Sequence, residues 1–99
     1  MSFRQYNNVE RFVRCGPIYA QRIRSLCEEH NISINQLSIL SGVKQSSIDN
    51  IVNGRTDNPG ILNIHKIAKA FNMTLAEFLN FKELNEFSFA AIEKEKKSD

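Results

Sequence analysis

Apolar residues along this chain recur every three or four positions, and nowhere do they alternate over a stretch long enough for a strand. That spacing predicts an all-α molecule. The first helix is predicted to open at Gly16-Pro17, where the fixed φ of proline suits the first helical position, and to run to about His30. Its inward stripe is Tyr19, Ile23, Leu26 and Cys27, and Asn31 supplies a left-handed stop. Ser33 and Gln36 form an S-x-x-Q capping box with Ile32 and Leu37 at the two staple positions, which starts a short helix from Ile34 to about Leu40. Ser41-Gly42-Val43 interrupts it, because Gly42 takes a positive φ without a side-chain clash and lets the chain turn sharply. The next helix, from about Gln45 to Val52, places Ile48, Ile51 and Val52 inward at i, i+3 and i+4. Gln45, Ser46, Asp49 and Asn50 are left on its other faces, and Asn53-Gly54 ends it.

The loop from Arg55 to Gly60 is dense in turn formers, and beyond it Ile61, Ile64, Ile67, Ala68 and Phe71 repeat at helical spacing. A second capping box, Thr74 with Glu77 and stapled by Met73 and Phe78, then predicts a fifth helix ending near Phe81. The expected architecture is a compact five-helix domain over residues 17–82, with its central two-helix motif at 33–53. Extensions at 1–16 and 83–99 flank it. Val9, Phe12 and Val13 on one side, and Phe87, Phe89 and Ile92 on the other, have the spacing for an extra turn or two of helix, docked on the domain or on a partner subunit. The charged end from Glu93 to Asp99 reads as disordered.

Composition narrows the class. With 99 residues and 41% hydrophobic content the chain has room for one small core. It holds no run approaching the roughly 18 apolar residues of a membrane span and no apolar secretory leader at its start, so a cytoplasmic location is expected. Two cysteines, Cys15 and Cys27, are too few for a disulfide framework and are read as free thiols. The net charge is only +2, but its distribution is uneven: Arg4, Arg11, Arg14, Arg22 and Arg24 stand against Glu10 in the first 24 residues, whereas 83–99 is net acidic. Any attraction for phosphate is therefore expected near the N-terminal end.

The middle of the chain carries the chemistry. A capped helix of two turns, a turn through glycine and a second helix with small polar outward residues is what a helix-turn-helix requires, because the second helix must enter the ~12 Å major groove without apolar obstruction. Amides such as Gln45 and Asn50 pair with adenine N6 and N7, and Ser46 accepts or donates at several base edges. The stretches SINQLSILSGVKQSSIDNIVNGR at 33–55 and NPGILNIHKIAKAFNMTLAEFL at 58–79 resemble the Cro/repressor-type helix-turn-helix family of phage repressors and Xre-like bacterial regulators. The resemblance implies a five-helix DNA-binding domain in which Gln45, Ser46 and Asn50 reach base edges. It also implies that Ser47 meets a phosphate or buttresses the turn, and that Arg55 with the Asn53-Gly54 backbone lies beside the phosphates.

Three positions depart from the family pattern. Ile34 stands where many members have a phosphate-holding glutamine, so that contact is lost or taken over by Asn35. Lys44 stands where serine or threonine often caps the recognition helix, and it exchanges cap stability for phosphate attraction. Cys27 and Val52 occupy the positions of a buried Arg–Glu pair in some members, which implies a plain packed contact.

Other classes have less support. There is no phosphate loop, nucleophile elbow or catalytic carboxylate set, so no enzyme and no cofactor are expected. Cys27-x-x-His30 puts two metal-ligand types on one helix face, but only Cys15 and His65 remain to complete a site. Cys27 is read as core and His30 as a complement to the helix dipole. RNA binding lacks an aromatic stacking platform. A protein-interaction module, such as an antitoxin or adaptor, is the main rival. Leu62 bears on it, since the resemblance puts a polar residue there; it marks a docking surface or a site covered by the N-terminal extension. The reading taken forward is a sequence-specific double-stranded DNA-binding transcription regulator, a repressor, acting as a homodimer on a near-palindromic operator. Phe81, Leu84, Phe87 and Phe89 are the expected dimer surface, with the N-terminal extension as the second choice.

Overall fold

In the computed structural model residues 14–87 are described, and among them there are helices and no strand. Helix α1 spans Gly16–His30, α2 Ile34–Ser41, α3 Gln45–Val52, α4 Ile61–Ala70, α5 Leu75–Leu79 and α6 Lys82–Asn85. The punctuation works as the side chains dictate. Asn31 ends α1 in the left-handed region at φ 56°, and Gly42 ends α2 at φ 75°. Both capping boxes are complete: Ser33 Oγ accepts from the Gln36 N–H at 3.0 Å while Gln36 Oε1 accepts from the Ser33 N–H at 2.8 Å, and Thr74 and Glu77 repeat the exchange.

The core is one cluster. Ile23, Leu26 and Cys27 of α1 meet Leu37 of α2, Ile48, Ile51 and Val52 of α3, Ile64, Ile67 and Ala68 of α4, and Phe71 and Phe78 beyond it. Packing runs α1 against α3, α2 against α4, and α4 against α5, with α2 also touching α3 and α1. Cys27 and Val52 are both buried in this cluster, an apolar contact between α1 and α3. Tyr19 is half-buried and packs against this cluster, and Ala20 beside it is 8% exposed.

Two sequence expectations need correction. Ile61 falls in the helical repeat with Ile64, Ile67 and Phe71 but is 64% exposed. It is the first residue of the helix, and because side chains tilt toward the helix N-terminus it projects past the end of the core. The fifth helix was expected to reach Phe81 but stops at Leu79. Arg22 covers that end: its Nε and Nη2 donate to the Phe78 and Glu77 carbonyls at 3.0 and 3.1 Å, satisfying acceptors that the helix end leaves open. The guanidinium also lies 4.9 Å from the Phe81 ring centre and 5.6 Å from that of Phe78. The chain restarts as the one-turn α6, a sixth helix. Val9, Phe12, Val13, Phe89 and Ile92 lie outside the described residues.

Candidate nucleic-acid interface

Helix α3 is two-sided by necessity. With eight residues it spans about 12 Å, and its Ile48, Ile51 and Val52 are at most 4% exposed, so one face is fixed against α1 and the core. Gln45, Ser46 and Asn50 are exposed, and Ser47 and Asp49 are half-buried. What aims this face is the turn before it. Gly42 supplies the positive φ, and two serines bind the turn together: Ser38 Oγ donates to the Val43 carbonyl at 2.8 Å, and the Val43 N–H donates to Ser41 Oγ at 3.2 Å. Val43 is then buried, which anchors the approach to α3. Gly42 is marked as a turn by its residue type, whereas the bonds of Ser38 and Ser41 depend on where the turn folds back and are not legible in the sequence.

Lys44 stands at the N-cap with no side-chain cap bond, leaving its ammonium free of the helix end. Asn35 is exposed near the start of α2. Ile34, at the family's glutamine position, is half-buried and packs on the core instead. Within α3, Gln45 Nε2 donates to Asp49 Oδ1 at 3.0 Å. Just beyond it, Asn53 Nδ2 donates to the Asp49 carbonyl at 2.8 Å. Arg55 is exposed, with Nη1 3.4 Å from Asn50 Oδ1. The backbone N–H groups of Asn53 and Gly54 already donate to the Asp49 and Ile51 carbonyls, so neither is open toward a ligand.

The arginine-rich start of the chain is tied to the rest of the domain through its described residues. Of its five arginines, Arg14, Arg22 and Arg24 are described, and all three turn donors toward the protein's own carbonyls. Arg24 closes the C-terminal end of α3, with Nε and Nη2 at 3.1 and 2.9 Å from the Val52 carbonyl. Arg14 Nη2 donates to the Gly54 carbonyl at 3.1 Å, and its Nε pairs with Asp57 Oδ2 at 3.3 Å. Asp57 Oδ1 also accepts from the Gly16 N–H at 2.7 Å, so the loop after α3 is clasped to the start of α1. The approach is so close that a Cβ on Gly16 would lie 2.7 Å from the Gly54 carbonyl oxygen. These three arginines thus support helix ends and the loop after α3 while Arg14 and Arg24 stay exposed. Nothing in the sequence marks that choice, since each arginine meets a partner 28 to 56 positions away.

Residues 22–83 match the family model of the Cro/C1-type HTH DNA-binding domain. The chain belongs to that family. It is also 34% identical, over 55 residues, to the HTH-type transcriptional repressor RghR of Bacillus subtilis (strain 168). That match covers 56% of this chain and 41% of the relative, so the chain spans about two fifths of that protein's length. No solved structure matches it significantly. Family and relative together support a DNA-binding transcription regulator. Among the described residues no three His, Cys, Asp or Glu side chains gather at a common point, and no helix is long and apolar enough to cross a membrane. Cys27 lies in the core, where burial pushes its thiol up from the ordinary value and Arg24 partly opposes the shift. The His30 ring rests 5.2 Å from that of Phe71.

Proposed function

We propose that this chain is a sequence-specific repressor that lays α3 in the major groove of a duplex operator. The observation that carries the reading is the division of α3 between a buried apolar face and an exposed face bearing Gln45, Ser46 and Asn50, in a chain of a DNA-binding family. Gln45, Ser46 and Asn50 read base edges. Lys44, Arg55 and the side chains of Asn35, Ser47 and Asn53 position the domain on phosphates. With the Asn53 and Gly54 amides engaged internally, the phosphate role falls mainly to the two cations. Repression rather than activation follows the printed description of the Bacillus relative.

One eight-residue helix reads few base pairs, and two copies on half-sites about 34 Å apart supply the rest. Phe81 and Leu84, half-buried near the C-terminal end of the described chain, are the proposed contact between copies. A monomer by light scattering, both free and on its operator, rejects that part of the reading.

The testing experiment is selection of bound duplexes from a random pool at physiological salt. An enriched half-site motif is expected. Gln45→Ala is then expected to weaken binding by about 1–3 kcal/mol and to relax preference at one position. A second reading, a protein-interaction module such as an antitoxin or adaptor, draws on four exposed large apolar residues, Ile39, Leu40, Ile61 and Leu62. A pool returning no motif favours it.

A further inference from the structure

A carboxylate on a DNA-facing helix opposes the phosphates, and in the C-terminal half of a helix it also opposes the dipole. Asp49 does both on α3. Its side chain makes no ion pair among the described residues; it accepts one hydrogen bond, from Gln45 Nε2 at 3.0 Å. An ionised carboxylate only accepts, so this bond decides which way the Gln45 amide faces. The nitrogen must turn toward Asp49, because the reverse flip would set Oε1 against a carboxylate oxygen. What Gln45 then offers outward is one acceptor, Oε1, and the second N–H as one donor.

That pair complements the major-groove edge of adenine, which presents the N6 amino group as donor and N7 as acceptor. It does not complement guanine, whose O6 and N7 both accept: Oε1 would meet O6 with no proton between them. An amide free to flip can instead turn both N–H groups of its nitrogen outward. We propose that Asp49 is a positioning residue that fixes the flip of Gln45 and thereby makes it select adenine over guanine. The proposal rests on reading α3 as the recognition helix. The electrostatic cost of an acid at this surface is the counterpart of that selectivity.

The test uses the full chain and the motif returned by the random pool. Gln45→Ala first locates the base pair that Gln45 reads, as the position whose preference disappears. At that position the unsubstituted chain is expected to favour adenine over guanine by about tenfold or more. Asp49→Ala and Asp49→Asn are expected to cut the ratio to about threefold or less. Preference at the other positions is retained, and affinity for the rest of the site is unchanged or tighter because a negative charge has gone. Circular dichroism and a thermal midpoint confirm that both variants are folded. Undiminished discrimination in Asp49→Ala overturns the proposal. So does an equal loss on every sequence, or a preference lost at a different base pair, which would mean that Asp49 reads a base itself. If Gln45→Ala leaves every position unchanged, the assignment of Gln45 as a reader fails, and the role of Asp49 falls with it.

Discussion

Single side chains in this protein do two kinds of work, and Arg24 shows the less visible kind. Its guanidinium donates twice to the Val52 carbonyl, at the end of the helix proposed to read DNA. Removing it leaves that carbonyl to water. Arg24→Ala is expected to lower stability by about 1 kcal/mol, below the roughly 1.5–3 kcal/mol of a charged hydrogen bond because the site is partly exposed. Urea denaturation measures the loss; an unchanged midpoint would show that water substitutes fully. Gly16 is a stricter case. A Cβ there would lie 2.7 and 2.8 Å from the Gly54 and Thr56 carbonyl oxygens, which are backbone atoms with little room to move. Gly16→Ala is expected to destabilise by about 1–3 kcal/mol, and a domain of this size would lose roughly 4–8 °C of thermal midpoint per kcal/mol. A midpoint equal to that of the parent would contradict the close approach.

At the level of elements, the helices differ in how they begin. α2 and α5 start with full capping boxes, whereas α3 starts at Lys44 with no side-chain cap. Lys44 has φ −54° and ψ 143°, an extended conformation in which a capping side chain can reach the first turn. Lys44→Ser is therefore expected to stabilise the fold by about 0.5–1 kcal/mol. On the proposed function it also removes a phosphate contact and reduces the salt dependence of DNA binding by about one charge. Opposite signs for stability and affinity are the distinguishing result. If binding keeps its salt slope, Lys44 does not face a phosphate. Ser33→Ala, by contrast, loses its cap and is expected to destabilise by about 1 kcal/mol, with no change in the bases selected.

Across the whole molecule, stability depends on a small core whose largest fully buried side chains include Phe71 and Phe78. Phe78→Ala is expected to cost about 3–5 kcal/mol, a large share of the roughly 5–15 kcal/mol that holds a typical domain. Loss of the cooperative thermal transition at 37 °C would fit; retention of the parent midpoint would not. Burial also raises the thiols of Cys15 and Cys27 and the phenol of Tyr19 above their ordinary values, with Asp57 adding to the shift at Cys15 and Tyr19. Each is neutral when protonated, so the folded chain keeps these protons to higher pH than the unfolded chain. The associated stability is complete below the ordinary thiol value of 9.0 and is lost as pH rises through the raised folded values. A urea midpoint that is level up to about pH 8 and declines above about pH 9 is expected; a level profile to about pH 10.5 contradicts it.

The sequence by itself determined the features that local chemistry controls. Capping boxes at Ser33 and Thr74, the turn at Gly42, the stop at Asn31 and the apolar stripe of α3 each depend on residues within about one helical turn, and each was readable. The exposed polar residues of α3 were readable for the same reason, since a helix that buries Ile48, Ile51 and Val52 must present Gln45 and Asn50 elsewhere. Tertiary structure decided what the long side chains do. Arg14, Arg22 and Arg24 reach carbonyls 28 to 56 residues away and support helix ends and loops. It also stopped α5 at Leu79, exposed Ile61 beyond the end of the core and drew Ile34 toward it. Periodicity fixes which face of a helix turns inward; only the packed neighbours fix where that face ends and which distant acceptors a flexible cation finds.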